Sequence, residues 1–364
     1  MSRTEAYDPR EEEVLARIER FRRKRPRLKE DAVNLAHGAG GKASAALVDA
    51  VFVEAFSNEL LEPLGDGAVL ELPSGDRLAM STDSFVVNPW RFPGATIGSL
   101  AVHGTVNDLA CMGAQPTWMS VAFVLEEGLA VDDLRDIVED MAEAAARAGV
   151  TIVTGDTKVV NKGAADGLYV NTTGVGVIPK GRRLAADLVR PGDKVFVTGT
   201  IGDHGMAVML GRGDLNLDAD IRSDTAALNG VTETLLEAAP HTRWLRDPTR
   251  GGVGTVLNEL VKATDLSVVL AEHALPIDRT VLGACDILGI DPLYVANEGK
   301  LVAIVPPDEA RAALDALRAH ELGKDAAVIG EVRAEPAGAV LLQTSFGGSR
   351  IVDMLVGDPL PRIC

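Results

Sequence analysis

Five aspartates lie in short polar motifs where the chain could present oxygen ligands. Asp66, Asp83, Asp156 and Asp247 fall where a predicted strand ends or a turn begins, and Asp108 lies inside a predicted helix. Loops at strand ends are where rigid scaffolds present functional groups. Carboxylates without a neighbouring Cys/His cluster suit Mg²⁺ held jointly with substrate phosphates. For any one aspartate taken alone, a turn or helix-cap role remains the simpler interpretation.

The chain ends in a proline-rich segment whose last residue is a cysteine. Pro359 and Pro361 fix φ and remove backbone donors, so they favour an extended arm. From Gly357 to Cys364 such an arm would reach roughly 25 Å, and its thiol could visit more than one site. A frayed end with an inert thiol and a cysteine docked in an apolar crevice are the alternatives that the segment alone leaves open.

Two glycine-rich segments could bring backbone amides close to phosphate. His37–Lys42 (HGAGGK) ends in a lysine just before an apolar helical stretch. It is not a Walker A loop, because positions 36 and 43 are both alanine. Arg250–Gly254 (RGGVG) opens a predicted helix, whose N-terminus favours anions. No complete Gly-x-Gly-x-x-Gly occurs there, so the sequence does not predict a Rossmann site.

Composition restricts the partners. The formal net charge of −17 and the pI near 4.8 argue against nucleic acid, although local lysines or metal ions would still permit ATP binding. Cys111, Cys285 and Cys364 lie far apart, which predicts neither disulfides nor a zinc site and suits the cytoplasm. Cys111 and Cys285 lie among apolar helical residues and are interpreted as core residues. No apolar run approaches the ~20 residues that span a bilayer, so no membrane association is expected.

Strand and helix signals intermix without a regular βαβ series, which predicts an α+β protein with two domains rather than a doubly wound sheet. We predict a charged extension at 1–33, domains at 34–180 and 181–350, and a mobile tail at 351–364. Within 1–33, Val14, Leu15, Ile18 and Phe21 recur at helical spacing, so a short amphipathic helix and a solvated extension both remain open. The predicted strands are 78–82, 119–125, 150–154, 168–178, 194–198, 267–270, 301–305, 327–331 and 340–343. The predicted helices are 95–112, 131–148, 204–211, 224–238, 251–264, 278–288 and 308–319.

Several motifs together resemble a known family. They are Leu35–Lys42 (LAHGAGGK), Ser81–Ser84 (STDS), Asn107–Ala114 (NDLACMGA), Thr154–Lys158 (TGDTK), Asp247–Gly252 (DPTRGG) and the terminal Pro361–Cys364 (PRIC). In this order they resemble the HypE family of [NiFe]-hydrogenase maturation proteins, within the aminoimidazole ribonucleotide synthetase (PurM-like) superfamily. The resemblance covers about residues 34–364, and the PRIC ending is its most specific part.

The resemblance implies a two-domain PurM-like fold. The N-terminal domains would pair in a homodimer around a β-barrel-like core with ATP near that interface, and the C-terminal domain would be an α/β sandwich. The implied Mg²⁺ ligands are Asp66, Asp83, Asp108 and Asp247. The implied catalytic residues are Cys364, Glu298, Lys158 and Asp108. The implied ATP contacts are Lys42, Gly40, Gly41, Asn107, Gly155, Asp156, Lys158, Arg250, Gly251 and Gly252.

The resemblance also implies a reaction: ATP-dependent dehydration of a carbamoyl group on Cys364 to a thiocyanate, which supplies cyanide ligands for hydrogenase iron. The implied partners are the carbamoyltransferase HypF and the iron-carrying HypC–HypD complex. Two alternatives stay open. One is another PurM-like enzyme of the selenophosphate synthetase or thiamine monophosphate kinase type, although neither explains the Cys364 tail. The other is a non-catalytic maturation scaffold.

Overall fold

A computed structural model describes residue 28 and residues 30–213, 219–355, 357, 360 and 362–364 of the 364-residue chain. The residues that suggested an amphipathic helix, from Val14 to Phe21, all lie outside the described residues. A sheet forms the centre of each half of the chain.

The first half is built on an open five-stranded sheet and a short two-stranded ribbon. Its strands are β1 (Ala68–Glu71), β2 (Arg77–Phe85), β3 (Arg91–Phe92), β4 (Ala95–Thr96), β5 (Gln115–Glu126), β6 (Thr151–Val160) and β7 (Leu168–Ile178). The large sheet has the order β1-β2-β7-β5-β6, and β3 pairs with β4. All of its pairings are antiparallel except β5 with β6. The strand order places β6 at one edge, where nearly all of its residues are exposed.

The described part of the first half has four helices, of which the third and fourth pack on one face of this sheet. They are α1 (Lys42–Leu47), which continues through a π-helical turn (Val48–Val53) into α2 (Glu54–Phe56), then α3 (Ile97–Cys111) and α4 (Val131–Ala148). Every residue of α3 except Asp108 is buried, as expected of a helix packed on all sides. Gly149, at φ 71°, ends α4 in the left-handed conformation.

The second half is a three-layer sandwich. Its strands are β8 (Lys194–Val197), β9 (Trp244–Arg246), β10 (Ser267–Ala271), β11 (Val302–Val305), β12 (Ala327–Arg333), β13 (Val340–Gln343) and β14 (Ser349–Ile351), in the order β14-β13-β10-β12-β8-β11-β9. Its helices are α5 (Asp203–Arg212), α6 (Asn229–Ala238), α7 (Gly252–Thr264), α8 (Arg279–Leu288) and α9 (Ala310–Ala319). Short 3₁₀ turns complete the chain at Leu35–Gly38, Ala186–Leu188, Glu272–Ala274, Pro292–Tyr294 and Glu321–Gly323.

Side-chain alternation explains the sandwich. On β8, Val195 and Val197 pack with α7 on one face, whereas Phe196 packs with α6 and α9 on the other. Both faces of the strand are therefore apolar, as expected for a sheet covered on both sides. The α+β fold class with two halves is confirmed, whereas the β-barrel-like dimer core stays a prediction because one chain contributes only an open sheet.

Most predicted elements are present, with differences at their ends. Residues 224–228 were predicted as the start of a helix, but α6 begins at Asn229. The side chain of Asp224 instead accepts a hydrogen bond from the Glu298 amide, and the Leu228 amide donates to Asn107. The predicted strand 150–154 continues to Val160. The two halves share one apolar cluster, in which Leu100 and Ile137 pack with Met206 and Val295. Among the described residues, no helix is both long and apolar enough to cross a bilayer.

Candidate active site

An acidic cavity of about 290 Å³ opens between the two halves. Its lining residues from the first half are Gly40, Gly65, Asp66, Thr82, Asp83 and Asp108, and those from the second half are Arg246, Asp247, Thr249, Arg250, Thr255, Val256 and Glu259. The four aspartates implied as Mg²⁺ ligands are therefore together in one cavity. They come from four different elements, which only the folded chain brings together.

Each of the first-half aspartates is fixed by its element. Asp83 lies near the end of β2, and Asp108 is the one residue of α3 that is not fully buried. The Ser81 hydroxyl lies 2.7 Å from the Asp66 carbonyl and also contacts the Asp108 carboxylate. This serine therefore ties the loop before β1 to α3 beneath the cavity.

Arg246 is a functional residue that the motif analysis did not select. Its Nε lies 2.7 Å from Oδ1 of Asp66, and its Nη2 lies 3.1 Å from Oε2 of Glu259. It directly precedes Asp247, so its place in the same motif was the available signal. Glu259 lies on α7, eight positions after Gly251, and nothing in the local sequence distinguishes it from a surface carboxylate.

The carboxylates of the cavity have raised pKa values. Burial, followed by the charge of Asp83, raises the pKa of Asp247 to about 7, although Arg246 opposes the shift. Burial also raises the pKa of Asp66 and Asp108 well above the usual range, with further contributions from neighbouring aspartates. The pKa of Asp83 is raised by burial and lowered by Arg250. Five carboxyl groups and two arginines line the cavity, so a bound cation would favour the ionised forms of these carboxyl groups.

Glu298 lies beside this cluster and is almost completely buried, with 2% exposure. Burial and then the charges of Asp247, Asp224 and Asp83 raise its pKa well above the usual range. Its Oε1 is buried without a hydrogen-bond partner, as is Oγ1 of Thr255 in the cavity wall. A protonated carboxyl group here could donate a hydrogen bond, and an ionised one could accept a proton.

Cys111 is buried, as its interpretation as a core residue requires, but its position was not expected. One ligand atom from each of Asp66, Cys111 and Asp247 lies within 4.8 Å of the others. Burial and these carboxylates raise the pKa of the Cys111 thiol well above its usual range. The buried thiol beside Asp66 and Asp247 is therefore neutral and poorly nucleophilic.

The first glycine loop lies against the second one. Gly40, at φ 75°, faces Arg250, and a Cβ at this glycine would lie 2.9 Å from Cβ of Arg250. Gly41 caps α1. The Lys42 ammonium pairs with Asp353 at 2.8 Å and is not among the cavity-lining residues. Gly251 precedes α7, and Gly252 packs so closely on the 293–295 backbone that a Cβ would lie 2.6 Å from two carbonyl oxygens.

Asn107 joins the two halves rather than lining the cavity. It is fully buried, and its Nδ2 donates to the carbonyls of Ala226 (3.1 Å) and Glu298 (3.0 Å). Its Oδ1 accepts from the Leu228 amide at 2.8 Å. These bonds occupy the side chain and fix the loop that carries Glu298.

Gly155, Asp156 and Lys158 lie on the edge strand β6. Lys158 pairs with Asp156 at 2.7 Å, and both side chains are exposed. Three strand spacings, about 14 Å, separate β6 from β2. The register pairs Lys158 with Val124 on the outer, uncovered face of the sheet. These residues therefore do not meet the cavity of their own chain.

The end of the chain is packed against the protein. Leu360 and Ile363 are buried, and Cys364 is partly exposed. The Val86 amide donates to the Cys364 carbonyl at 3.0 Å, and the Asn88 amide donates to that of Arg362 at 3.3 Å. Val86 lies three residues beyond Asp83, or about 10 Å along an extended chain. The terminal cysteine is thus hydrogen-bonded to the segment that directly follows the strand carrying Asp83, and the mobility of the tail stays a prediction.

Known proteins share this architecture. Models of the AIR synthase related protein family match the N-terminal domain at residues 64–178 and the C-terminal domain at residues 190–343. The carbamoyl dehydratase HypE of Azotobacter vinelandii is 51% identical over 337 residues, across 93% of this chain and 98% of that protein. A chain of the HypE–HypF complex matches with a TM-score of 0.81 and 48% identity, over 85% of this chain and 100% of that one. HypE in complex with ATP matches with a TM-score of 0.76 and 47% identity, over 92% and 100%.

Proposed function

Because the chain belongs to the HypE family of AIR synthase related proteins, we propose that it is an ATP-dependent carbamoyl dehydratase that acts on its own C-terminal cysteine. The observation that carries this proposal is the position of Cys364, whose carbonyl accepts a hydrogen bond from the Val86 amide, three residues beyond Asp83 of the acidic cavity. A scaffold that only anchored a partner through its tail would not need this cluster of costly buried charges.

The reaction begins with a carbamoyl group on the Cys364 sulfur, S–C(=O)–NH₂. The carbamoyl oxygen attacks the γ-phosphorus of ATP, which forms a C–O–P linkage and releases ADP. The nitrogen loses its two protons, the C–O bond breaks and phosphate leaves, so that S–C≡N remains. Phosphorylation is needed because hydroxide is a poor leaving group. Glu298 is the candidate proton acceptor, since its carboxyl group has an unpartnered oxygen beside the cavity.

The carboxylates fit Mg²⁺. Asp66, Asp83, Asp108 and Asp247 would hold it. Burial raises the pKa of all four, neighbouring aspartates add to the shift in three of them, and a divalent cation would favour their ionised forms. When bound, the ion supplies charge neutralisation for the phosphates of the nucleotide. Arg250 and the N-terminus of α7 would orient those phosphates, and the Gly40–Gly41 and Gly251–Gly252 segments would offer backbone amides to them.

A homodimer would complete the site. The uncovered face of the first sheet exposes apolar side chains, including Met80 (42%), Trp118 (46%) and Val177 (40%). A second copy packed on this face would bury them. It would also place Lys158 and Asp156 against the partner molecule, although they lie far from the cavity of their own chain.

Replacing Trp118 should test this dimer. We expect Trp118→Glu to shift the protein toward its 38.3 kDa monomer, because a charge in the middle of an apolar interface is costly. Phe346→Glu is the control, since Phe346 is 99% exposed on a second-half loop. Sedimentation equilibrium at micromolar concentration measures the outcome. A parent protein that sediments only as a monomer would contradict the proposed homodimer.

Lys158→Ala should weaken nucleotide binding about tenfold, because the variant loses a charge-assisted contact to phosphate. Lys180→Ala is the control, since Lys180 is also an exposed lysine of the first half. Isothermal titration calorimetry with ATP and Mg²⁺ measures the difference. An ATP dissociation constant unchanged by Lys158→Ala would reject this role.

The proposed partners are the carbamoyltransferase HypF, which would load Cys364, and the HypC–HypD complex, which would receive cyanide for hydrogenase iron in the cytoplasm. The test is the intact mass of the protein after incubation with the carbamoyltransferase, carbamoyl phosphate and ATP. We expect a carbamoyl adduct to form first and a cyano adduct to replace it with time. ATP hydrolysis that does not depend on tail carbamoylation would favour another PurM-like enzyme.

A further inference from the structure

Helix α5 lies beneath the end of the chain and holds it at several points. His204, near the start of α5, has its Nε2 2.6 Å from the carbonyl oxygen of Ile363. Arg212, at the other end of the helix, donates to the carbonyls of Arg362 and Asn88. Between them Gly205 faces Leu360, and a Cβ at this glycine would lie 3.1 Å from Cδ1 of the leucine. One helix thus contacts the backbone of both residues that precede Cys364.

The surroundings of His204 fix which nitrogen carries the proton. The side chain is fully buried, with its ring edge-on to Phe92. Its Nδ1 lies 2.8 Å from Oγ of Ser223, and that Oγ accepts a hydrogen bond from the Thr225 amide. Burial lowers the pKa of His204, so the ring is neutral near pH 7. The serine hydroxyl donates to Nδ1, which leaves the ring proton on Nε2 for the Ile363 carbonyl.

The segment that orients His204 also holds Glu298. Asp224, the residue after Ser223, accepts a hydrogen bond from the Glu298 amide at 3.1 Å and pairs with Lys300 at 3.2 Å. The Gly205 amide donates to the Ala296 carbonyl, two residues before Glu298. The helix that holds the tail and the loop that carries Glu298 are therefore connected by hydrogen bonds.

We propose that His204 is a positioning residue that seats the C-terminal thiol for dehydration by holding the Ile363 carbonyl, with Arg212 as a second holding point on α5. The effect on dehydration rests on the proposed function. The claim that these two side chains hold the tail does not depend on it. A tail seated by backbone carbonyls can be held in the same way whether its sulfur is free or carries a carbamoyl group.

Two variants of His204 separate positioning from simple core packing. His204→Gln keeps a donor that can reach the Ile363 carbonyl, whereas His204→Leu keeps the apolar volume and loses the donor. Arg212→Met provides a second test at a partly exposed position, where loss of the fold is not expected. His241→Leu is the matched control, because His241 is an exposed histidine bonded to Glu309 in the second half.

The first readout requires no activity. The amides of Val86 and Asn88 donate to the tail, so their hydrogen exchange reports whether the tail is seated. We expect His204→Leu and Arg212→Met to accelerate this exchange at least tenfold, and His204→Gln to retain most of the protection. His241→Leu should match the parent. If His204→Leu does not fold, Arg212→Met and His204→Gln decide the outcome.

The second readout is single-turnover dehydration of protein that has already been carbamoylated. We expect a loss of at least tenfold for His204→Leu and Arg212→Met, with ATP affinity unchanged and partial recovery in His204→Gln. The proposal is wrong if folded His204→Leu or Arg212→Met keeps full protection of the Val86 and Asn88 amides. It is also wrong if that protection is lost and the dehydration rate does not change. If the parent forms no thiocyanate but the hydrogen-exchange differences are as expected, the proposed function is wrong, whereas the proposal that α5 holds the tail is confirmed.

Discussion

Cys364→Ala should abolish both carbamoylation and thiocyanate formation while leaving a folded protein that binds ATP. The thiol is partly exposed at the end of the chain, so its removal opens no core cavity. The backbone bond from the Val86 amide to the residue 364 carbonyl remains available to alanine. Intact mass after incubation with the carbamoyltransferase, carbamoyl phosphate and ATP measures the loss, and calorimetry measures ATP binding.

The other two cysteines are the internal controls. Cys111→Ala and Cys285→Ala should retain the chemistry and lose stability instead, because both thiols are buried. Normal thiocyanate yield from Cys364→Ala would remove this residue from the mechanism. Adding one residue after Cys364 is a finer test, since it displaces the terminal carboxylate and lengthens the packed end. We expect that extension to slow dehydration with little change in nucleotide affinity.

Asp247→Asn should reduce dehydration by about a hundredfold or more, because it removes a charge that would hold the cation and its phosphates. The same substitution should stabilise the protein in buffer free of nucleotide and Mg²⁺ at pH 8. Asp247 has a pKa of about 7 in the folded chain against an ordinary value of 3.8, so the folded state binds the proton more tightly than the unfolded state. Stability from this group is therefore present at low pH and is lost as the pH rises from about 4 to about 7.

Thermal unfolding at two pH values tests this account of Asp247. At pH 8 the variant should exceed the parent by about 1 to 4 kcal/mol. At pH 5 the gap should be less than half as large, because the carboxyl group is then protonated in the folded parent and ionised only in the unfolded chain. Mg²⁺ with ATP should stabilise the parent and not the variant. Asp308→Asn, at an exposed aspartate, should behave as the parent throughout. An active Asp247→Asn would contradict the proposed cation site.

The strongest local patterns predicted their elements almost to the residue. The strand 168–178 and the helix 131–148 have the predicted bounds because their apolar periodicity is uninterrupted and Gly149 ends the helix. The short strand β9 was missed, since three residues give no periodicity. The start of α6 was misplaced because contacts from Asn107 and Glu298 remove 224–228 from the helix, and such distant contacts leave no local signal.

The candidate site could also be predicted from the sequence only in part. The aspartates were found because each falls in a motif, and the cavity brings four of them together. Glu259 and the position of Cys111 emerge only from packing between elements distant in sequence, whereas Arg246 had one local signal, its place directly before Asp247. The hydrogen bonds of Asn107 could not be predicted either, since its motif gave no sign that three backbone groups of the second half would contact its side chain. Its role as an ATP contact stays a prediction.

Peptide mass mapping of protein treated with the carbamoyltransferase, carbamoyl phosphate and ATP tests the central claim most directly. The cyano group should be found on the peptide that ends in Cys364, preceded in time by a carbamoyl group on the same residue, with Cys111 and Cys285 unmodified. A carbamoyl or cyano adduct on Cys111 or Cys285, with Cys364 unmodified, would contradict the account.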